Sequence, residues 1–178
     1  MIDSVHAADD NGAPPTLYLP DTAATEILGG ALAPLIKPGL VIYLQGDLGA
    51  GKTTLVRGLL RALGHAGNVK SPTYTLIEPY VLSRLDLYHF DFYRFSSPEE
   101  YLDAGLDEYF AGQGACLVEW PDKASPYLAP PDVEITLAVV GNGRNARIQA
   151  CSEVGIACLK TLQIPPGMVA PPAPGGNS

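Results

Sequence analysis

Three groups of residues in this chain have the type and spacing to handle phosphate. The first is Gly46-Asp47-Leu48-Gly49-Ala50-Gly51-Lys52-Thr53, which reads G-x-x-x-x-G-K-[ST]. Glycines let a backbone wrap closely round an anion and turn its N–H groups inward. A helix that starts directly behind such a loop adds its positive end. In this pattern Lys52 reaches the outer phosphates and the Thr53 hydroxyl ligates Mg²⁺. The second group is a pair of carboxylates, Asp91 and Glu119, each near the end of an apolar run. Either can orient a metal ion or an attacking water. The third is the hydroxyl-bearing stretch Ser71-Pro72-Thr73-Tyr74-Thr75.

These groups need elements to hold them. Leu40-Val41-Ile42-Tyr43-Leu44 is a short apolar, β-rich run, read as a buried strand ahead of the loop. Residues 54–63 read as a helix with Leu55, Val56, Leu59, Leu60 and Leu63 on one face. Strand, glycine loop and helix is the arrangement that confirms the motif. Pro72 pushes Ser71 out of the helical region, so an extended loop opens there, and Thr-Tyr-Thr-Leu-Ile then reads as a strand. Its position shortly after the loop helix is where nucleotide switches sit, with Thr73 as the sensor. A plain strand entry with solvated hydroxyls is the competing reading.

Residues 85–94 alternate and are rich in aromatics, which predicts a strand hairpinned with the preceding one and Asp91 near its end. His89 in that run reads as a packed strand histidine, because no second histidine or cysteine lies at metal spacing. Ser97-Pro98-Glu99-Glu100 reads as a helix start, with Ser97 capping and Glu100 closing a capping box. Glu99, Glu100, Asp103, Asp107 and Glu108 read as a solvated acidic face. Ala115-Cys116-Leu117-Val118-Glu119 is an apolar strand ending in a carboxylate, the Walker-B pattern, and Trp120 after it is either core or a cover for the site.

Upstream, Thr16-Leu17-Tyr18-Leu19 reads as an edge strand. Asp21 or Thr22 caps a helix whose apolar face holds Ile27, Leu28, Ala31, Leu32 and Leu35. Downstream, 133–140 and 144–151 form a hairpin round Gly141-Asn142-Gly143, and 153–162 a small helix. The expected fold is α/β: a three-layer P-loop architecture with a mixed central sheet and a C-terminal β-hairpin. Residues 1–15 read as a flexible lead-in, 16–163 as one domain, and 164–178 as a disordered Pro/Gly-rich tail.

Bulk composition narrows the partners. At 178 residues and 47% hydrophobic content, one globular domain is expected. With 11 basic against 19 acidic residues the net charge is −8, which disfavours a chain that coats nucleic acid by itself. Three cysteines, an odd count without a C-x-x-C, suggest neither a disulfide framework nor a zinc site. No signal peptide and no membrane-spanning run are evident, so the expected compartment is the cytoplasm.

The block from Gly46 to Pro121 resembles the bacterial TsaE (YjeE) family. The matching pieces are the loop with Thr54, Gly67-Asn68-Val69-Lys70-Ser71-Pro72-Thr73-Tyr74-Thr75-Leu76, Tyr88-His89-Phe90-Asp91-Phe92-Tyr93-Arg94 and Leu117-Val118-Glu119-Trp120-Pro121. The likeness is weaker at the helix that begins near Asp21 and at Arg144. It implies a protein required for threonylcarbamoylation of the adenosine beside the tRNA anticodon. Such a protein binds ATP and Mg²⁺, hydrolyses ATP slowly, and regulates or resets the TsaB–TsaD complex, meeting tRNA only indirectly. By the matching motifs, Gly49, Ala50, Gly51, Lys52, Thr53 and Thr54 wrap the phosphates, and Thr53 and Glu119 hold Mg²⁺. Asp91 is needed for hydrolysis, Thr73 falls in the switch-like segment and Trp120 flanks the site. Thr22 and Arg144 lie near the nucleotide.

Rival functions would need residues of other kinds. A GTPase needs N-K-x-D, and the chain has no Asn-Lys pair. A small-molecule or nucleoside kinase usually brings an arginine-bearing lid, whereas only Arg84 and Arg94 lie mid-chain. A non-catalytic nucleotide-gated assembly factor would need binding without turnover. Arg94 is the nearest guess for an arginine finger, which a partner could supply instead.

Overall fold

The structure, a computed structural model, describes residues 16–168. The expectations for 1–15 and for 169–178 lie outside the described residues. Seven strands form one sheet: β1 (Thr16–Leu19), β2 (Val41–Gln45), β3 (Ile77–Val81), β4 (Asp86–Asp91), β5 (Ala115–Glu119), β6 (Val133–Val140) and β7 (Gly143–Ala150). Their spatial order is β1-β7-β6-β2-β5-β4-β3. The middle is parallel, with β2 between β5 and β6 and with β4 beside β5, while β1, β3 and β7 pair antiparallel at the two sides. The sheet is thus mixed, as the α/β reading expects, and the β6–β7 hairpin is an integral part of it.

Alternation along the strands makes two cores. Ile42 and Leu44 of β2 and Leu117 of β5 join one apolar cluster with α1 (Thr22–Leu32), α2 (Lys52–Ala62) and α5 (Glu153–Leu159). Val41 of β2 and Cys116 and Val118 of β5 face the other way. There they meet Phe90, Phe92 and Tyr101, beside α3 (Glu99–Asp103) and α4 (Asp107–Phe110). This is a three-layer arrangement. A strand buried on both faces must be apolar at successive positions, which is why Ala115 to Val118 reads as a continuous run.

Several elements depart from sequence expectation. Asp21 caps α1, its Oδ1 accepting from the Ala24 N–H at 2.8 Å, so Thr22 is the first helical residue and not the cap. Ile27 faces solvent, and Ala24, Thr25 and Gly29 share the buried face with Leu28 and Leu32. The reason is backbone proximity: a Cβ on Gly29 would sit 2.1 Å from the Leu55 carbonyl oxygen, and one on Gly58 would sit 2.0 Å from that of Glu26. Helices this close need small residues at the crossing. Residues 73–75 form a turn and β3 begins only at Ile77. Being an edge strand, β3 tolerates Pro79.

Ser97 does not cap α3. Glu100 Oε1 instead accepts from the N–H groups of Ser96 (2.9 Å) and Ser97 (3.3 Å), half of the expected box. The last boundary also moves. Met168 is buried and its carbonyl accepts from the Tyr18 N–H at 2.7 Å, so the packed chain continues past residue 163. No helix among the described residues is long and apolar enough to cross a membrane.

Candidate functional site

All the parallel strands end on the same side of the sheet, and the phosphate-type loop, Asp91 and Glu119 lie at that edge. Gly46 follows β2 at φ 145°, and a Cβ there would lie 2.5 Å from the Leu137 carbonyl oxygen, so only glycine fits. Gly51 at φ 103° is the residue before α2, which begins at Lys52. The amides that open α2 therefore point into the loop, as anion binding requires.

A cleft of about 290 Å³ is lined by the loop residues 47–54 together with Ser71, Thr73, Asp91, Glu119, Trp120 and Arg144. A second depression of about 240 Å³ is lined by Asp21, Thr22, Thr25 and Asn142, and it shares Gly51, Thr54 and Arg144 with the first. Together the two fall in the size range of ligand sites. One compartment is walled by loop amides and carboxylates, the other by the start of α1 and the β6–β7 turn. The structure thus brings Thr22, Gly49, Ala50, Gly51, Lys52, Thr53, Thr54, Thr73, Asp91, Glu119, Trp120 and Arg144 to one contiguous site.

Lys52 is folded back on its own loop. Its Nζ donates to the carbonyls of Gly46 and, at 3.1 Å, Asp47, and lies 4.7 Å from the centre of the Trp120 ring. Burial lowers its pKa, while Glu119, Asp91 and Asp47 pull it upward. Trp120 adopts a left-handed φ of 56° and packs against Tyr93 at 5.1 Å between ring centres. It lines the cleft and also packs, partly buried, against the second apolar cluster, so both of its sequence readings describe it.

The two carboxylates have different surroundings. Glu119 ends β5, directly beside the loop strand and opposite Leu44. Asp91 ends β4, one strand farther out, opposite Glu119. Asp91 Oδ2 accepts from Ser71 Oγ and lies 3.3 Å from Thr73 Oγ1, and its Oδ1 accepts from the Tyr93 N–H at 2.9 Å. Asp91 therefore grips the hydroxyl turn. The turn closes through the Leu76 N–H, which donates to the Pro72 carbonyl at 2.8 Å, with Leu76 at φ 68°.

Arg144 reaches the loop from the hairpin. Its Nε donates to the Ala50 carbonyl at 3.0 Å and its Nη2 to that of Gly49 at 3.1 Å. Arg94, the sequence-based guess for a finger, stacks on Tyr74 at 4.1 Å and is not among the residues lining the cleft. Sequence reasoning named Ser71 only as part of the hydroxyl stretch, and assigned no role to Asp21 as a pocket wall or to Tyr93. The period-2 spacing of Leu87, His89 and Asp91 was the available signal for one more, since it puts His89 on the carboxylate face.

The donors in the cleft fit the metal that the motif implies. Thr53, Asp91 and Glu119 bring one hydroxyl and two carboxylates to the same cleft. Among the described residues no cluster of three or more His, Cys, Asp or Glu could hold a metal alone. Hard oxygen donors too few for a protein cage suit Mg²⁺, which keeps waters and takes phosphate oxygens as further ligands. They do not suit zinc.

Known proteins resemble this chain in sequence and in fold. The profile of the family described as "Threonylcarbamoyl adenosine biosynthesis protein TsaE" matches residues 19–147. The chain is 40% identical over 145 residues to the tRNA threonylcarbamoyladenosine biosynthesis protein TsaE of Haemophilus influenzae, covering 79% of this chain and 92% of that one. It is 44% identical over 118 residues to the protein of the same name from Bacillus subtilis, covering 66% and 73%. Among solved structures it is similar to YdiB of Bacillus subtilis, with a TM-score of 0.71, 33% identity, and coverage of 83% and 92%.

Proposed function

The chain belongs to the TsaE family of threonylcarbamoyl adenosine biosynthesis proteins, and on that premise we propose that it binds ATP with Mg²⁺, hydrolyses it slowly, and uses its nucleotide state to regulate or reset a TsaB–TsaD complex that modifies tRNA. The observation that carries this reading is Asp91. One carboxylate at the mouth of a phosphate cleft holds the Ser71 and Thr73 hydroxyls of the adjoining turn, so events at the phosphates and the shape of that turn are coupled.

The residues divide the work as follows. Lys52 leaves the carbonyls of Gly46 and Asp47 to meet the outer phosphates, its charge favoured there by the incoming anion. Loop amides from Gly49 to Thr54 hold the phosphate oxygens. Thr53 and Glu119 hold Mg²⁺, because Glu119 is on the strand next to the loop strand. When bound, that ion supplies charge neutralisation at the phosphate oxygens. Asp91 orients water and senses the cleft through Ser71 and Thr73. Thr22 and Arg144 border the compartment left for the nucleoside, and Trp120 covers Lys52. Among the cleft residues the one arginine is occupied with loop carbonyls, which supports slow turnover by the isolated chain. A net charge of −8 supports contact with tRNA through partners and not directly. The free cysteines fit a reducing compartment, the cytoplasm.

The test is recovery with purified TsaB–TsaD under ATP, ADP and no nucleotide, alongside turnover of the chain alone. Recovery that depends on nucleotide, with turnover far below one per second, is expected. Recovery in none of the three states, or turnover of tens per second without partners, would refute the reading. Glu119→Gln separates catalysis from a purely structural role: it should bind ATP yet lose tRNA modification.

A further inference from the structure

The strand pairing places a buried histidine directly behind the carboxylate row. In the parallel β4–β5 register His89 lies opposite Leu117 and Asp91 opposite Glu119. Alternation puts Leu87, His89 and Asp91 on one face with Leu117 and Glu119, the face covered by α2. His89 is wholly excluded from solvent, and the Leu87 and Leu117 side chains beside it are buried too. From this apolar setting its Nε2 reaches diagonally to Glu119 Oε1 at 3.0 Å.

The other ring nitrogen makes the arrangement informative. Nδ1 is buried and has no hydrogen-bond partner among the described residues. A histidine present only to fill space would be replaceable by an apolar residue at no cost in unmet hydrogen bonds. This one keeps a single bond, and that bond goes to the carboxylate beside the phosphate loop. An ionised carboxylate only accepts, so Nε2 donates the hydrogen of this bond.

We infer that His89 is a positioning residue for Glu119, fixing the orientation of its carboxylate toward the Mg²⁺ that accompanies nucleotide. A glutamate has three side-chain torsions, and a ligand that must be found among its rotamers binds a demanding octahedral ion poorly. A hydrogen bond from behind to Oε1 fixes the plane of the group before the ion arrives. Such outer partners of ligating groups contribute about 10- to 100-fold in metal affinity. The inference rests on the assignment of Glu119 to Mg²⁺ made above.

The single tryptophan, Trp120, lines the cleft, so its fluorescence serves as the readout of binding. ATP is titrated into the full chain with and without Mg²⁺, for wild type, His89→Leu, His89→Gln and His89→Asn, with a thermal melt of each. Leu removes the donor. Gln restores an amide N–H at the reach of Nε2, and Asn is too short to do so. His89→Leu should weaken the Mg²⁺-dependent part of binding about 10- to 100-fold and leave Mg²⁺-free ATP binding within about twofold. His89→Gln should recover most of the loss and His89→Asn should not; this pair decides the matter if the Leu variant does not fold. Equal Mg²⁺ dependence in all four proteins would overturn the inference, as would parallel loss with and without the ion. A wild type whose ATP binding ignores Mg²⁺ would sink the Glu119 assignment itself, and would be seen before any variant is compared.

Discussion

Replacing Gly58 with alanine should destabilise the protein, although in an exposed helix interior the same change stabilises. The added Cβ would lie 2.0 Å from the Glu26 carbonyl oxygen and 2.7 Å from the Glu26 Cα, all backbone atoms that no rotamer change can move. Carbon–oxygen contacts settle near 3.3 Å, so α1 must retreat by roughly 1.3 Å. Overpacking of this kind costs about 1–3 kcal/mol, and backbone on both sides puts the cost at the upper end. Helix propensity returns about 1 kcal/mol. The net loss is about 2 kcal/mol, which for a domain of this size lowers Tm by roughly 4–8 °C. Gly30→Ala is the control. Its Cβ would meet nothing closer than 3.8 Å, so only the propensity gain remains and Tm should rise by roughly 2–4 °C. Thermal melts of the two variants followed by circular dichroism make the comparison. Gly58→Ala should also weaken ATP binding, because the starts of α1 and α2 wall the same depression. If Gly58→Ala melts at or above the wild-type temperature, the claim that these helices touch through their backbones is wrong.

Other outcomes follow from single contacts. Arg144→Ala removes two hydrogen bonds to the carbonyls of Gly49 and Ala50, each worth about 1 kcal/mol, so the melt should fall by roughly 4–8 °C and nucleotide binding should weaken in a fluorescence titration, whereas an unchanged melt would show that these bonds do not hold the loop. Asp91→Asn replaces a charged acceptor for Ser71 and Thr73 with a neutral one, a loss of about 1 kcal/mol. Amides across 71–76 should then exchange with solvent about fivefold faster, and unchanged exchange would show that Asp91 does not hold the turn. Thiol alkylation at pH 8 should label Cys151, which is exposed, and spare Cys116 and Cys158, which are buried. Burial pushes the Cys116 thiol up to about 12, so its reactive thiolate is scarce as well as hidden. Peptide mapping that finds Cys116 modified as fast as Cys151 would contradict the packing of β5.

The parts of the fold that sequence revealed are those decided locally. The glycine spacing of the loop, the apolar runs of β2 and β5 and the alternation from Val133 to Val140 each carry their own signal. The failures share a cause in contacts between distant residues. Thr73-Tyr74-Thr75 has strand propensity, but two hydroxyls bound to Asp91 hold it in a turn. The apolar face of α1 was drawn through Ile27, whereas close approach to α2 selects the side bearing Gly29. The division between Asp91 and Glu119 depended on which strand lies beside β2, and no periodicity encodes that. His89 could be placed on the face of Asp91 from spacing alone, but its partner lies 30 residues away and needed the β4–β5 register.

The sheet order has a consequence for the protein as it is made. Residues 46–53 are in the first third of the chain, yet the strand that carries them has no neighbour from that third. Val41 is paired with Cys116, and Ile42 with Val133. Even the arginine that holds the loop carbonyls is residue 144. Closing loops of this length must precede the gain from the contacts they bring together. On the ribosome, then, the phosphate loop emerges well before the strands that flank it and takes shape only after them. A chain truncated before β6 would carry the full motif but lack both Arg144 and one of the two strands that flank it.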